Sequence, residues 1–328
     1  MSNTPNATNL EAIILAAGKG TRMQSDLPKV CHEVGGRPMV CAVVDACLEA
    51  GCQRVVVVVG YKQELVREAL ASYGDSVEFA VQHEQLGTGH AVVSAVDAFP
   101  YEDRAETDVF VLCGDGPLIR SSTLDTMLEL HRTKNAAATL ATSVIDDPSG
   151  YGRIVRDADG RFERIVEQKN ASEDELKINE VNPSYYCMNA LAMFEALKQV
   201  NRNELTGEYY ITDVFELMLK RNLPVEVIDA VPAEDILSIN TLEHLAQVDA
   251  IYRERRAHLR TEPHTHHPHH LSRRKERRMA EMKVFAGRNS KGLAQRICDE
   301  IGIPLGRAHE PVPRRRGVRQ ARRRCPRA

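Results

Sequence analysis

From residue 11 onward, short apolar runs alternate with stretches whose apolar residues recur every three or four positions, the pattern of a mainly parallel sheet covered by helices. "AIILAAG" (12–18) predicts a first strand, and Pro38 suits the first turn of a helix whose apolar side carries Met39, Val43, Ala46 and Cys47. "RVVVVVG" (54–60) is a β-branched run of the kind buried on both faces, and a helix is expected near 62–72. "VEFAVQ" (77–82), a helix opening at "GTGHAVVSAV" (87–96) and "DVFVLCGD" (108–115) complete a four-strand doubly wound pattern. The second half is less regular. In "YGRIVRDADGRFERIVEQ" (151–168), Asp159-Gly160 separates two alternating runs and predicts a hairpin. "KINEVNPSYYCMN" (177–189) reads as a strand, "LAMFEALKQV" (191–200) and "TDVFELMLKR" (212–221) as helices, and a last helix is expected over about 241–258.

Composition changes that picture in one place. Residues 1–252 carry 21 Lys/Arg against 39 Asp/Glu, a balance of −18, whereas 253–328 carry 22 against 7, or +15. "TEPHTHHPHHLSRRKERR" (261–278) combines five histidines with a basic run, a composition that cannot bury a core and that predicts a linker or tail. Its histidines could hold adventitious nickel or zinc, but a flexible linker is the favoured reading. The 328 residues are 43% hydrophobic, enough for a real core. The opening "MSNTPNATNL" lacks the charged-then-apolar order of a leader, and "VVVVV" (55–59) is too short for a bilayer, so a cytoplasmic protein without membrane attachment is expected. Eight cysteines without a CxxC pair predict reduced, mostly buried thiols.

The candidate chemistry starts at "LAAGKGTRMQSDLPK" (15–29), where two glycines, two lysines and an arginine follow the first strand. A glycine-rich turn after a strand points backbone N–H groups into a concavity suited to phosphate. The stretch matches neither the Walker spacing nor the dinucleotide one, and on spacing alone it reads equally as a phosphate loop or a simple turn. Asp115 closes the fourth strand at the carboxyl edge, where α/β sheets present ligands. A carboxylate beside bound phosphates invites Mg²⁺, and the same residue type also caps helices.

"LAAGKGTRM", "LPKV", "EQLGTGHAV", "GDGPL", "YGRIV", "IVEQK", "INEVN" and "EYYITD" occur in order over residues 11–255. In this set the chain resembles the uridyltransferase domain of the bacterial bifunctional N-acetylglucosamine-1-phosphate uridyltransferase/glucosamine-1-phosphate acetyltransferase family. The resemblance implies an α/β, Rossmann-like, doubly wound and mainly parallel sheet of the nucleotide-diphospho-sugar transferase type, with a hairpin-rich sugar-binding elaboration. It also implies Mg²⁺-dependent transfer of UMP from UTP to N-acetylglucosamine 1-phosphate, a step toward cell-wall precursors. Leu15, Ala16, Ala17 and Gly18 would lie along the nucleotide, Gln82 would pair with the uracil edge, and Gly87 and Thr88 would let the backbone approach the base. Arg22 and Lys29 would bind the phosphates and act in catalysis, Asp115 and Asn240 would hold the metal, and Gly152, Glu167 and Asn182 would hold the sugar. Read without the resemblance, Gln82, Glu167 and Asn182 are surface polar residues, Gly152 is a hairpin glycine, and His83 and His90 are packed or solvent-facing imidazoles.

The chain departs from the family pattern at Cys113, at "GDGPL", at "NPSYY" and at Ser238, which puts rate and sugar selectivity in question more than reaction class. An alternative is transfer to glucose or galactosamine 1-phosphate. The family continues into a hexapeptide-repeat β-helix, and no such repeats follow Tyr252 here, so uridyltransfer without acetyltransfer and a monomer rather than a trimer are expected. "MKVFAGRNSKGLAQRICDEIGIPLG" (282–306) resembles the start of ribose-phosphate pyrophosphokinase without its catalytic motifs, and reads as a fusion to a neighbouring gene's beginning. The expected organisation is therefore a nucleotidyltransferase domain at 1–252, a helix end and His/Arg-rich linker at 253–281, the pyrophosphokinase-like fragment at 282–310 and a basic tail at 311–328. That tail also permits a second class of function, sequence-blind polyanion binding, although no specific nucleic-acid partner is expected.

Overall fold

The β-branched run at 54–59 forms the second strand of the central sheet, and Val55 to Val59 are all fully buried, each contributing about 1.5–3 kcal/mol through burial. A computed structural model describes residues 9–23 and 25–261. Its strands are β1 (Asn9–Ala16), β2 (Glu33–Val34), β3 (Arg37–Pro38), β4 (Arg54–Val59), β5 (Val77–Val81), β6 (Thr107–Cys113), β7 (Ala138–Val144), β8 (Gly152–Arg156), β9 (Phe162–Val166), β10 (Glu180–Asn189) and β11 (Val225–Asp229). The helices are α1 (Met39–Glu49), α2 (Gln63–Ala69), α3 (Thr88–Val93), α4 (Ser121–Thr133), α5 (Ala190–Leu197), α6 (Asp213–Lys220) and α7 (Leu242–Thr261).

The main sheet runs β11-β7-β10-β6-β1-β4-β5, with β8 and β9 attached beside β10. β1 pairs in parallel with both β4 and β6, β4 with β5, and β7 with β11, whereas β10 lies antiparallel between β6 and β7. The chain leaves β1 toward β4 and β5, then returns to β6 on the opposite side. That reversal opens a crevice at the carboxyl ends of β1 and β6, the place where open α/β sheets bind ligands.

Alternate residues of each strand feed two cores. Ala12, Ile14 and Ala16 of β1 pack with α1, α2, α4 and α7, while Ile13 packs with α3, α5 and α6. The hairpin at Asp159-Gly160 is present: Gly160 takes φ +78°, and the Asp157 carboxylate accepts from the N–H groups of Asp159 and Arg161.

The short strands β2 and β3 and the longer elements α4, β7 and β11 are not among those the sequence pattern predicts. β7 is "ATLATSV", whose Ala and Thr side chains carry little apolar contrast yet are buried between neighbours on both sides. The last helix extends past the expected 258 to Thr261, and the compact unit ends there. The boundary at 252 therefore falls inside α7. The Tyr252 ring packs on Gly35, where an added Cβ would come within 2.5 Å of it, and Arg255 pairs with Glu234 and Asp235. The linker, the pyrophosphokinase-like fragment and the basic tail lie outside the described residues. Among the described residues, no helix is long and apolar enough to cross a membrane.

Candidate functional site

The loop after β1 is shaped by its second glycine. Gly20 has φ +66°, and a Cβ there would stand 2.6 Å from the Lys29 Cβ, so its absence lets Lys29 pass beneath the loop. Gly18 is exposed, with open space where its Cβ would be. Among the described residues, nothing accepts from the backbone N–H groups of Gly18, Lys19 or Gly20. The Ala17 carbonyl, by contrast, is taken by the Tyr61 N–H at 3.2 Å and the Gln85 side chain at 2.8 Å. The loop thus offers donors and a small exposed residue, as an anion cradle requires.

Lys29 lies in a single turn after Pro28, and its Nζ contacts the Asp115 carboxylate and donates to Asn240 Oδ1 at 2.7 Å. Arg22 donates to the same Oδ1 at 2.9 Å. Asn240 Nδ2 donates to Ser238 Oγ at 3.1 Å, which leaves the amide oxygen facing the two cations. The serine at the position of the departure therefore orients the amide. The Ile239 N–H donates to the Asp115 carbonyl, Tyr151 Oη donates to the Ile236 carbonyl and Tyr185 Oη to the Asp235 carbonyl. Segment 235–240 is thus tied to the β6 end and to β10, and residues 115 and 240, remote in sequence, converge on one ammonium.

This convergence is the test of metal fit. A carboxylate and an oriented amide oxygen that already gather a point cation are hard oxygen donors suited to Mg²⁺. Among the described residues, no group of three or more His, Cys, Asp or Glu could hold a metal ion. By themselves the two side chains would leave most of a Mg²⁺ shell to phosphate and water, which suits an ion that keeps several waters.

Beside it lies a cleft of about 270 Å³, close to the lower end of the roughly 300–1,000 Å³ of ligand pockets. Leu15, Thr88, Cys113, Glu167, Ser184, Tyr186, Glu208 and Tyr210 are among the residues that line it. Glu167 accepts from Thr212 Oγ1 at 3.1 Å, and burial pushes its carboxyl above the usual range. It is half-buried in the cleft wall, and its remaining oxygen sites suit hydroxyl donors. Burial, with the Asp115 charge adding to it, pushes the Cys113 thiol up to about 12, so the cleft carries a neutral thiol there. Ser184 has φ +65°, beside a register shift in β10, and its N–H donates to Asn182 Oδ1 at 3.0 Å.

Several sequence-predicted residues sit otherwise than expected. Asn182 is only 5% exposed, pairs with Gly152 across β10 and β8, and donates to Tyr186 Oη at 2.7 Å. It supports the cleft wall formed by Ser184 and Tyr186 and is not a surface amide. An added Cβ at Gly152 would meet Ile165 at 3.2 Å. The close approach that Gly87 permits is that of the chain's own Tyr209: at φ +103°, a Cβ would lie 2.6 Å from the Tyr209 carbonyl oxygen. Thr88 Oγ1 accepts from the Ile211 N–H, so its hydroxyl joins this loop to the segment 208–213. Gln82 is buried, with Nε2 held 3.1 Å from both the Gly87 carbonyl oxygen and His90 Nδ1. Three contributors go beyond the sequence reading: Tyr185 was not assigned a role, Ser238 stood only as a departure from the family pattern, and His90 only as a packed or solvent-facing imidazole. Only Ser238, two residues before Asn240, carried a local signal.

About three quarters of the chain is similar to curated relatives. It is 46% identical over 244 residues to the bifunctional protein GlmU of a Geobacillus species (74% of this chain, 52% of the relative). It is 43% identical over 247 residues to that of Syntrophomonas wolfei subsp. wolfei (75% and 54%), and 45% identical over 244 residues to that of Heliobacterium modesticaldum (74% and 52%). The chain spans about half the length of these curated relatives. A UDP-glucose pyrophosphorylase crystallised with UDP-glucose shares the fold, with a TM-score of 0.61 at 20% identity, covering 76% of this chain and 100% of that one. Residues 12–210 match the model of the MobA-like NTP transferase domain, and the chain belongs to that family.

Proposed function

We propose that the chain transfers UMP from UTP to N-acetylglucosamine 1-phosphate, giving UDP-N-acetylglucosamine and pyrophosphate. The observation that carries this reading is the meeting of Arg22, Lys29, Asp115 and Asn240 at the carboxyl rim, beside a cleft lined by the half-buried Glu167 carboxylate. The similarity to GlmU over three quarters of the chain supports the choice of sugar.

A sugar 1-phosphate is already anionic at neutral pH, so its oxygen attacks the α-phosphorus without a strong general base. The difficulty is to bring two polyanions together, and the chain meets it by positioning and charge. The free N–H groups of the loop at 18–20 bind phosphate oxygens. Lys29 and Arg22 shift from the Asp115–Asn240 oxygens onto the triphosphate and stabilise the departing pyrophosphate. Asp115 and Asn240 would then hold Mg²⁺, which when bound neutralises phosphate charge as the bond to the α-phosphorus forms. Glu167 accepts from sugar hydroxyls, and Asn182 holds Tyr186 against the ring. No covalent enzyme intermediate is needed.

The test is UTP with a panel of sugar 1-phosphates (N-acetylglucosamine, glucose, galactosamine), with and without Mg²⁺, reading pyrophosphate release and product mass. Magnesium-dependent UDP-N-acetylglucosamine formation in clear preference to the others is expected. Preferred turnover of glucose 1-phosphate would reassign the sugar, and no pyrophosphate with any acceptor would overturn the reading.

A further inference from the structure

The geometry points to His90 as a positioning residue that, together with the Gly87 carbonyl, holds the Gln82 amide in one orientation and so helps set the base the site accepts. This rests on the reading that the nucleotide base lies against Gln82. One end of that amide lies 3.1 Å from the Gly87 carbonyl oxygen and 3.1 Å from His90 Nδ1. A carbonyl oxygen only accepts, so the amide atom facing it is the NH₂ group and not the oxygen. Both amide hydrogens are then used, one on Gly87 and one on His90. The second bond requires a bare lone pair on Nδ1, which places the imidazole proton on Nε2.

What remains for a ligand is Gln82 Oε1. Among the described residues, no donor reaches it. The residue is 5% exposed, and its own N–H donates to the Val59 carbonyl at 2.8 Å, so backbone and side chain are both held at the carboxyl rim of β5. An amide that presents only oxygen accepts from the imino N3–H of uracil. It offers nothing to the N3 lone pair of cytosine, which needs a donor. His90 thus reinforces from behind, without touching the base, the orientation that the Gly87 carbonyl selects: it takes the second amide hydrogen and leaves Oε1 as the group presented to a ligand.

Three variants and one spectrum test this. kcat/KM is measured for UTP and CTP at saturating sugar 1-phosphate in the wild type, His90→Phe, His90→Asn and Gln82→Met. His90→Phe removes the acceptor, and the UTP-to-CTP ratio should fall by about tenfold, the scale of one buried hydrogen bond. The change should lie in KM for UTP more than in kcat, because the base is remote from the reacting phosphorus. His90→Asn, whose Oδ1 replaces Nδ1 as acceptor, should restore most of the ratio. A ratio unchanged in His90→Phe but lowered in Gln82→Met overturns the role of His90 and leaves the base reading intact. A ratio unchanged in Gln82→Met overturns the base reading itself. Should His90→Phe not fold, the ¹⁵N shifts of His90 in labelled wild-type protein decide: a proton on Nε2 is expected, and a proton on Nδ1 refutes the proposal.

Discussion

Replacing Asp235 by asparagine should loosen the segment that carries Asn240, and the size of the effect follows from the contacts. The Asp235 carboxylate is 1% exposed and lies between two arginines. Arg120 Nε reaches Oδ2 at 2.6 Å, Arg120 Nη2 reaches Oδ1 at 3.0 Å, and Arg255 Nη2 contacts Oδ1 as well. Asparagine keeps one acceptor, loses the charge and turns an NH₂ group toward a guanidinium. Hydrogen bonds to charged groups contribute roughly 1.5–3 kcal/mol each but do not add. The arginine side chains are 41% and 24% exposed and regain water, so the full penalty of a stranded buried charge does not apply. The expected loss is about 2–3 kcal/mol, or roughly 5–10 °C in Tm for a unit of this size. Activity should fall less than for Asn240→Ala, because Tyr185, Tyr151 and Asp115 still hold the backbone of 235–239. Thermal unfolding and turnover of the same preparation are the assays. A Tm within 2 °C of wild type would refute the role given to this carboxylate.

Gly87→Ala forces a Cβ to within 2.6–2.8 Å of the Tyr209 backbone at φ +103°; a loss of about 3 kcal/mol and of most activity is expected in denaturant titration and steady-state assays. Ser184 takes φ +65°, so Ser184→Val should cost about 2 kcal/mol while Ser184→Gly stays within about 1 kcal/mol of wild type, compared by thermal unfolding. Burial, with Glu216 adding to it, raises Asp213 from 3.8 to about 6, so the folded state holds its proton more tightly and this group's destabilising contribution grows as pH rises from about 4 to 6. Asp213→Asn should therefore stabilise the protein at pH 8 by about 1 kcal/mol after allowance for its partial exposure, with the gain vanishing below about pH 4.

The strands that carry the site were legible because their chemistry is extreme. β1 and β4 are apolar runs buried on both faces, and no helix period competes with them. β7 escaped because Thr139, Ala141 and Thr142 owe their burial to close neighbours and not to hydrophobicity, and β11 because it is a half-buried edge strand. In the site, the loop at 15–29 and Asp115 follow from position on the sheet. Asn240 does not: a single amide 125 positions further along the chain reaches the rim only through the ties of segment 235–240, and only family resemblance marked it. Gln82 was marked only by the family resemblance, and its contact with His90 was not legible in the sequence. Their relation depends on a third group, the Gly87 carbonyl, whose place is set by Tyr209.

The central claim is that Asp115, with Asn240, Lys29 and Arg22, stabilises charge as the α-phosphorus is transferred. Rapid-quench single-turnover kinetics with α-labelled UTP, saturating N-acetylglucosamine 1-phosphate and saturating Mg²⁺ measures that step in the wild type and in Asp115→Ala. A fall of about 10² or more in the single-turnover rate is expected, the scale on which removal of one transition-state-stabilising group is felt. A rate within a few fold of wild type would contradict the account.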